Sequence, residues 1–286
     1  MKSIVQIAGY HGVGLILIAT CAVSGRTAAA QDMQLFAQSS AAALERQFDR
    51  SELSWLLLDG SGRILVKHWQ DAKTPVAPGS LVKPFLAVAY GEQHAFVFPR
   101  EFCSGTRGHC WLPKGHGWLG LEDAVAQSCN AYFLALASDL DYEQAMRTVQ
   151  RLGLHGPSPG APTTTWIGLG AAWKETPMAI ARAYLSLIAG SATFANNRIL
   201  YGMQLAAQTG TAREIDTTLR TRDAAAKTGT AVCTHNPHGA ADGFAVVVYP
   251  AGSPRVLLLV RMHGGTGAQT AGVAGAMLRS IGVGEK

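Results

Sequence analysis

The chain has 286 residues, of which 48% are hydrophobic and 15% charged. That balance excludes the disordered and fibrous classes and supplies enough apolar material for one catalytic domain of ordinary size. The formal charge of +5 comes from basic residues that form no run and are not interleaved with aromatics, which removes the pattern of a nucleic-acid-binding surface.

The first thirty residues differ from the rest. Lys2 precedes the apolar stretch Val13-Gly14-Leu15-Ile16-Leu17-Ile18-Ala19, and Ala28-Ala29-Ala30 stands just before Gln31. A basic start, a short apolar run and small residues at a cleavage position are the parts of a secretory signal. Residues 1–30 are expected to act as a signal peptide, with an uncleaved membrane anchor as the alternative. Residues 31–286 are then the exported domain, in the periplasm or at the outer face of the cytoplasmic membrane.

Beyond that segment, Leu35, Phe36, Ala42, Ala43, Leu44 and Phe48 fall on one side of an amphipathic helix over 33–48. Trp55-Leu56-Leu57-Leu58 and Ile64-Leu65-Val66 flank Asp59-Gly60-Ser61-Gly62 and predict a hairpin. Pro75 and Pro78-Gly79 break the chain, and a helix opens at Ser80 with Val82, Phe85, Leu86, Val88 and Ala89 as its apolar positions. A loop rich in Gly, Cys and His covers 102–117. Helical patterns follow at 121–136 and 177–188, separated by a Gly/Pro/Thr-rich connection over 153–165. Three β-type runs at 226–232, 244–249 and 256–261 come next, with Pro250-Ala251-Gly252-Ser253-Pro254 turning the chain between the last two. A helix over 271–281 ends the pattern. Strands at both chain ends with helices between them predict an α/β (α+β) fold. Its antiparallel sheet is built from the two ends, flanked by helices, with a helical subdomain inserted.

Three short motifs carry chemistry. Ser80-Leu81-Val82-Lys83 lies between Pro78-Gly79 and Pro84, and is followed by Ser128-Cys129-Asn130 and Lys227-Thr228-Gly229-Thr230. A serine hydroxyl is a weak nucleophile near neutral pH and needs an adjacent base. Lys83 is one helical turn from Ser80 on the same face. Its apolar neighbours Leu81, Val82 and Phe85 would disfavour the ammonium form and lower its pKa toward a value useful for a base. Ser128 and Asn130, at alternate positions, share a side only if the chain there is a loop or extended. Gly229 in a β run leaves room for a substrate backbone to lie along the strand.

Ser-x-x-Lys, Ser-x-Asn and Lys-Thr-Gly in this order are the signature of penicillin-binding proteins and serine β-lactamases. The chain resembles class B, elongation-type penicillin-binding proteins in further segments. These are Phe102-Cys103-Ser104-Gly105, Cys110-Trp111, Gly115-His116-Gly117, Ala131-Tyr132-Phe133, Gly168-Leu169-Gly170, Thr176-Pro177, Ala181-Arg182-Ala183-Tyr184, Gly202-Met203, Gly210-Thr211-Ala212 and Thr230-Ala231. The resemblance implies a β-lactamase/transpeptidase-like fold and a peptidoglycan D,D-transpeptidase or D,D-carboxypeptidase that β-lactams inhibit. Ser80 would be the nucleophile and Lys83 the base. Ser128 would shuttle a proton to the leaving amine, and Asn130 would hold the substrate amide. Lys227 would supply charge, and Thr228 and Thr230 hydroxyls, for the terminal carboxylate of D-Ala-D-Ala or of a β-lactam. The backbone N–H groups of Ser80 and Thr230 would hold the oxyanion, each donor worth on the order of 3 kcal/mol.

Two alternatives to this reading are a serine β-lactamase and a β-lactam or peptidoglycan sensor that acylates without turnover. The first is disfavoured because the class A E-x-x-L-N context and the class D Ser-x-Val and Tyr-Gly-Asn motifs are not found. Against a self-contained receptor stands the absence of a later transmembrane segment or signalling domain, and a degraded pseudoenzyme is disfavoured because every motif residue is intact. Catalysis needs no cofactor. Cys103, Cys110, His116 and Cys129 nonetheless supply the Cys3His donors of a structural zinc site, with Cys103–Cys110 disulfide formation as the alternative in an oxidising compartment.

Overall fold

Residues 55–58 are apolar on both faces of the chain because the strand they belong to is covered on both sides. The computed structural model describes residues 13–190, 194–233 and 241–284. In it β1 (Leu53–Asp59) is buried at every position. It turns through Gly60–Gly62 into β2 (Ile64–His68) and pairs on its other side with β7 (Val256–His263). With β5 (Ala225–Ala231) and β6 (Asp242–Tyr249) the sheet runs β2-β1-β7-β6-β5, antiparallel throughout. The two chain ends therefore build one sheet, as expected from the pattern of strands.

Alternation along the strands divides the core in two. Leu56, Leu58, Val246, Val248, Leu257 and Leu259 face the helical insert, whose Leu81, Phe85, Tyr132, Phe133 and Ile180 meet them. Trp55, Leu57, Val247, Leu258 and Val260 face α1 (Val13–Phe48) and α10 (Gly267–Ser280). The amphipathic helix over 33–48 is thus the second part of α1. Residues 1–12 of the expected signal lie outside the described residues. Among the described residues no helix is long and apolar enough to cross a membrane.

The insert holds α2 (Lys83–Gln93), the two-stranded pair β3 (Glu101–Cys103) and β4 (Gly117–Leu119), α3 (Leu121–Ala126), α4 (Asn130–Ser138), α5 (Tyr142–Arg151), α6 (Thr163–Trp166), α7 (Pro177–Ala189), α8 (Phe194–Gln208) and α9 (Glu214–Leu219). Two expectations need correction. Ser80 sits in a single 3₁₀ turn, Gly79–Val82, and the α-helix begins only at Lys83. The helix expected over 121–136 is broken after Ala126. There Ser128 adopts a left-handed φ of 51°, its N–H donates to Val125 O, and the Cys129 N–H donates to Ala124 O. That pair of bonds is a Schellman closure with serine where glycine is usual. The chain restarts as a helix at Asn130, after Cys129 in an extended conformation.

Candidate active site

The 3₁₀ turn that carries Ser80 lies against β5, the open edge strand of the sheet. A Cβ on Gly229 would stand 2.9 Å from Pro78 O, and one on Gly79 would stand 2.8 Å from Thr230 O. Both contacts are tighter than side chains allow. The glycine of Lys-Thr-Gly is therefore explained by the close approach of β5 to the Ser80 turn, rather than by room left for a substrate. The result is a cleft of about 460 Å³ lined by Ser80, Ser128, Asn130, Thr228, Gly229 and Thr230.

Lys83, first residue of α2, is fully buried beneath that cleft. Its Nζ donates to Ser128 O at 2.8 Å and Asn130 Oδ1 at 2.5 Å, and stands 3.4 Å from Ser128 Oγ. Burial pushes its pKa down to about 7, against an opposing pull from Cys129 and Cys110. Relative to water, protonating this amine costs roughly 5 kcal/mol. Among the described residues no hydrogen bond joins the Ser80 hydroxyl to Lys83, whose amine faces Ser128 and Asn130. The left-handed turn at Ser128 permits that convergence, because it breaks the helix that would have sent residues 128 and 130 apart.

Lys227 reaches the same serine from the opposite side. Its Nζ donates to Ser128 Oγ at 2.8 Å and to Thr228 O at 2.7 Å. It is fully buried and does not line the cleft. Direct contact with a substrate carboxylate, expected from the sequence, is not what this position offers. Thr228 and Thr230 do face the cleft. The Thr228 hydroxyl donates to Thr211 Oγ1 at 2.6 Å, and Thr230 Oγ1 accepts from the Gly267 N–H at 3.0 Å. Asn130 is held at both ends of its amide, since Nδ2 donates to His109 O at 3.2 Å.

Sequence reasoning assigned no role to Trp111, Leu169, Thr211, Thr266, Gly267 and Ala268, which complete the lining. Trp111, Leu169 and Thr211 stand in segments that carry the family resemblance. Thr266 carried the signal of a helix cap, since it forms a capping box with Gln269 at the start of α10.

Behind Ser128 the four predicted metal ligands come together. One ligand atom from each of Cys103, Cys110, His116 and Cys129 lies within 4.8 Å of the others. Cys110 Sγ and Cys129 Sγ are 3.8 Å apart, and His116 Nδ1 is 3.5 Å from both Cys103 Sγ and Cys110 Sγ. On a tetrahedral zinc with ordinary bond lengths, sulfur pairs stand about 3.8 Å apart and sulfur–nitrogen pairs about 3.6 Å. These three separations match the edges of such a site, and the three thiols are free. Pairing with Cys129 pushes the Cys110 thiol down, and the same pairing together with burial pushes Cys129 up.

A fold with the Ser80 turn against an edge strand, two buried lysines and one shared serine defines a class, and comparison with known proteins names it. The penicillin-binding protein transpeptidase domain model matches residues 65–281. The chain belongs to that family. Solved structures sharing the fold include Pseudomonas aeruginosa PBP2 in complex with WCK 5153, at TM-score 0.69 and 20% identity, over 85% of this chain and 75% of that one. A Helicobacter pylori complex between PBP2 and MreC aligns at TM-score 0.68 and 17% identity, over 84% of this chain and 62% of that one. The transpeptidase domain of Burkholderia pseudomallei penicillin-binding protein 3 aligns at 0.64 and 18%, over 89% and 96%. A comparison with curated proteins returns no match.

Proposed function

We propose that this chain is a peptidoglycan D,D-acyltransferase that forms an acyl-enzyme on Ser80. The observation that carries the reading is the single cleft lined by Ser80, Ser128, Asn130 and Thr228–Thr230, with Lys83 and Lys227 buried against Ser128. Ser80 Oγ attacks the carbonyl of the penultimate D-alanine and gives its proton to neutral Lys83. The Ser128 hydroxyl then delivers a proton to the departing D-alanine amine, while Lys227 fixes the Ser128 oxygen. An acceptor amine or water takes the acyl group from Ser80. A peptide laid along β5, the sheet's open edge, would add as a further strand and bring its carboxylate to the Thr228 and Thr230 hydroxyls. A β-lactam would enter by the same route and stop at the acyl stage. This chemistry belongs to the cell wall, outside the cytoplasm, with stem peptides ending in D-Ala-D-Ala as substrate and no nucleic acid as partner. The MreC found with the Helicobacter pylori neighbour makes an envelope protein partner part of the proposal.

The proposal includes a structural zinc held by Cys103, Cys110, His116 and Cys129. It takes no step in acyl transfer. Its role is to tie β3, the loop over 104–116 and Cys129 together behind Ser128 and Asn130.

The test is to incubate the purified chain with a muropeptide ending in D-Ala-D-Ala, with and without an amine acceptor, and to weigh the products. Release of D-alanine is expected, with a cross-linked product for a transpeptidase or a shortened peptide for a carboxypeptidase. Ser80→Ala should abolish both. Turnover of penicillin with no reaction of the muropeptide would make the chain a β-lactamase instead.

A further inference from the structure

A second set of metal-ligating side chains, Cys233, Asp242 and His263, stands at the end of the sheet nearest the cleft, and acyl transfer makes no use of it. Antiparallel register explains how positions thirty residues apart in sequence meet. Asp242 opens β6 and lies opposite Ala231 on β5 and His263 on β7. Cys233 follows two residues beyond Ala231, where the chain leaves β5. One ligand atom from each of the three lies within 4.8 Å of the others.

The surroundings suit an ion. Asp242 is 1% exposed, so its carboxylate is a charge taken out of water, and its Oδ1 lies 2.8 Å from His263 Nδ1. Thiol, imidazole and carboxylate together make a mixed donor set that suits zinc and its transition-metal neighbours better than the oxygen-seeking magnesium or calcium. Nitrogen and oxygen donors on a tetrahedral zinc stand about 3.3 Å apart. The His263–Asp242 pair thus needs to open by only about half an ångström to seat one. Cys233 also lines a 400 Å³ opening with Leu169 and Thr230, residues that belong to the Ser80 cleft as well.

We infer that Cys233, Asp242 and His263 form a second metal site, for a divalent ion of the zinc class, which clamps β5 to β6 and β7 just past Thr230. Three protein donors, one from the segment leaving β5 and one each from β6 and β7, leave a position for water or a further donor. The ion holds the end of the strand along which substrate is read to lie. That consequence rests on the proposed function of the cleft, whereas metal binding itself does not.

The experiment measures zinc bound to the full chain, purified without a histidine tag, loaded with zinc and freed of excess by gel filtration. Cys233→Ser and His263→Gln, both at half-buried positions, are each expected to hold one zinc equivalent fewer than the wild type. Cys110→Ser, which removes the other cluster, should keep this one. A second readout uses the unmodified protein: alkylation of Cys233, mapped by peptide mass, should be suppressed by zinc and restored by a chelator. Equal zinc content in the wild type and both variants, or Cys233 alkylation that ignores zinc, overturns the site while leaving the acyltransferase reading untouched. Loss of D-alanine release with zinc content intact would do the reverse.

Discussion

Lys83 and Lys227 meet at one oxygen: their Nζ atoms lie 3.4 and 2.8 Å from Ser128 Oγ, and neither side chain is exposed. Two full positive charges converging on one buried hydroxyl repel each other with little water to screen them. Burial, and then the charge of Lys83, holds Lys227 well below the usual lysine range, while burial brings Lys83 to about 7. The site therefore releases a lysine proton far more readily than an exposed lysine would. A neutral amine beside Ser128 is what a base for Ser80 requires.

The first consequence is a pH profile. Below pH 7 Lys83 is protonated and cannot accept the Ser80 proton, so the second-order rate of penicillin acylation should rise about tenfold per pH unit and level off above 7. Lys83→Arg keeps the charge but does not lose its proton, and should lower the rate by at least about 10²-fold in a folded protein. The sign for stability follows from the same shift. The folded pKa lies below the unfolded one, so between 7 and 10.5 the unfolded chain binds the extra proton, and this group alone makes the fold more stable as pH rises through that window. Stopped-flow acylation by a fluorescent penicillin between pH 5 and 9 checks the kinetic half, and a flat profile contradicts it.

Ser128 separates backbone from chemistry. Its φ of 51° is a conformation in which glycine has no penalty, so Ser128→Gly should fold with a thermal midpoint at or above that of the parent. The same change removes the oxygen on which both lysines converge. Acylation should then fall by about 10²-fold or more, the scale of a lost proton-transfer group. Calorimetry and penicillin-adduct mass together read the two effects. A stable variant that acylates at the parent rate would remove Ser128 from the proton path.

These relationships were unevenly legible in the sequence. The sheet from two chain ends, the three motifs and the Cys3His set could be read because each rests on local pattern or residue type. The break at Ser128 could not. Ala124, Val125 and Ala126 continue into Ala131, Tyr132 and Phe133 at helical spacing, and a serine in place of glycine hides the Schellman turn. Gly229 was recognised, but its reason lay in Pro78 and Leu81, some 150 residues earlier, and only packing reveals that. Strands β3 and β4, three residues each, are too short to show an alternation.

Lys227 was read from the sequence as a carboxylate ligand, and its geometry now predicts something different. Buried, bonded to Ser128 Oγ and Thr228 O and absent from the cleft wall, it should act by placing Ser128. Lys227→Ala is expected to slow acylation by ordinary penicillins and by their carboxylate esters to a similar degree, about 10²-fold. Both rates can be followed by intact-protein mass. A loss confined to carboxylate-bearing drugs would return Lys227 to the role of anion ligand.

The cluster behind Ser128 makes the last prediction. Cys103 ends β3, Cys110 follows the 3₁₀ turn Gly105–Gly108, and Cys129 lies between the two residues that bond Lys83, so a metal here would join three segments. His116 presents Nδ1 to two sulfurs, while its Nε2 is buried with no hydrogen-bond partner among the described residues. A ring held that way needs a strong bond on the Nδ1 side, and coordination supplies one that a thiol contact does not. The protein should therefore carry one zinc equivalent that survives gel filtration and is lost in Cys110→Ser. Chelation should lower the thermal midpoint and slow acylation together, because Ser128 and Asn130 flank Cys129, and restoring zinc should recover both. A disulfide between Cys103 and Cys110 makes the opposite forecast: two fewer free thiols under denaturing conditions, no zinc, and indifference to chelator. Thiol counting paired with metal analysis on the same preparation decides between them.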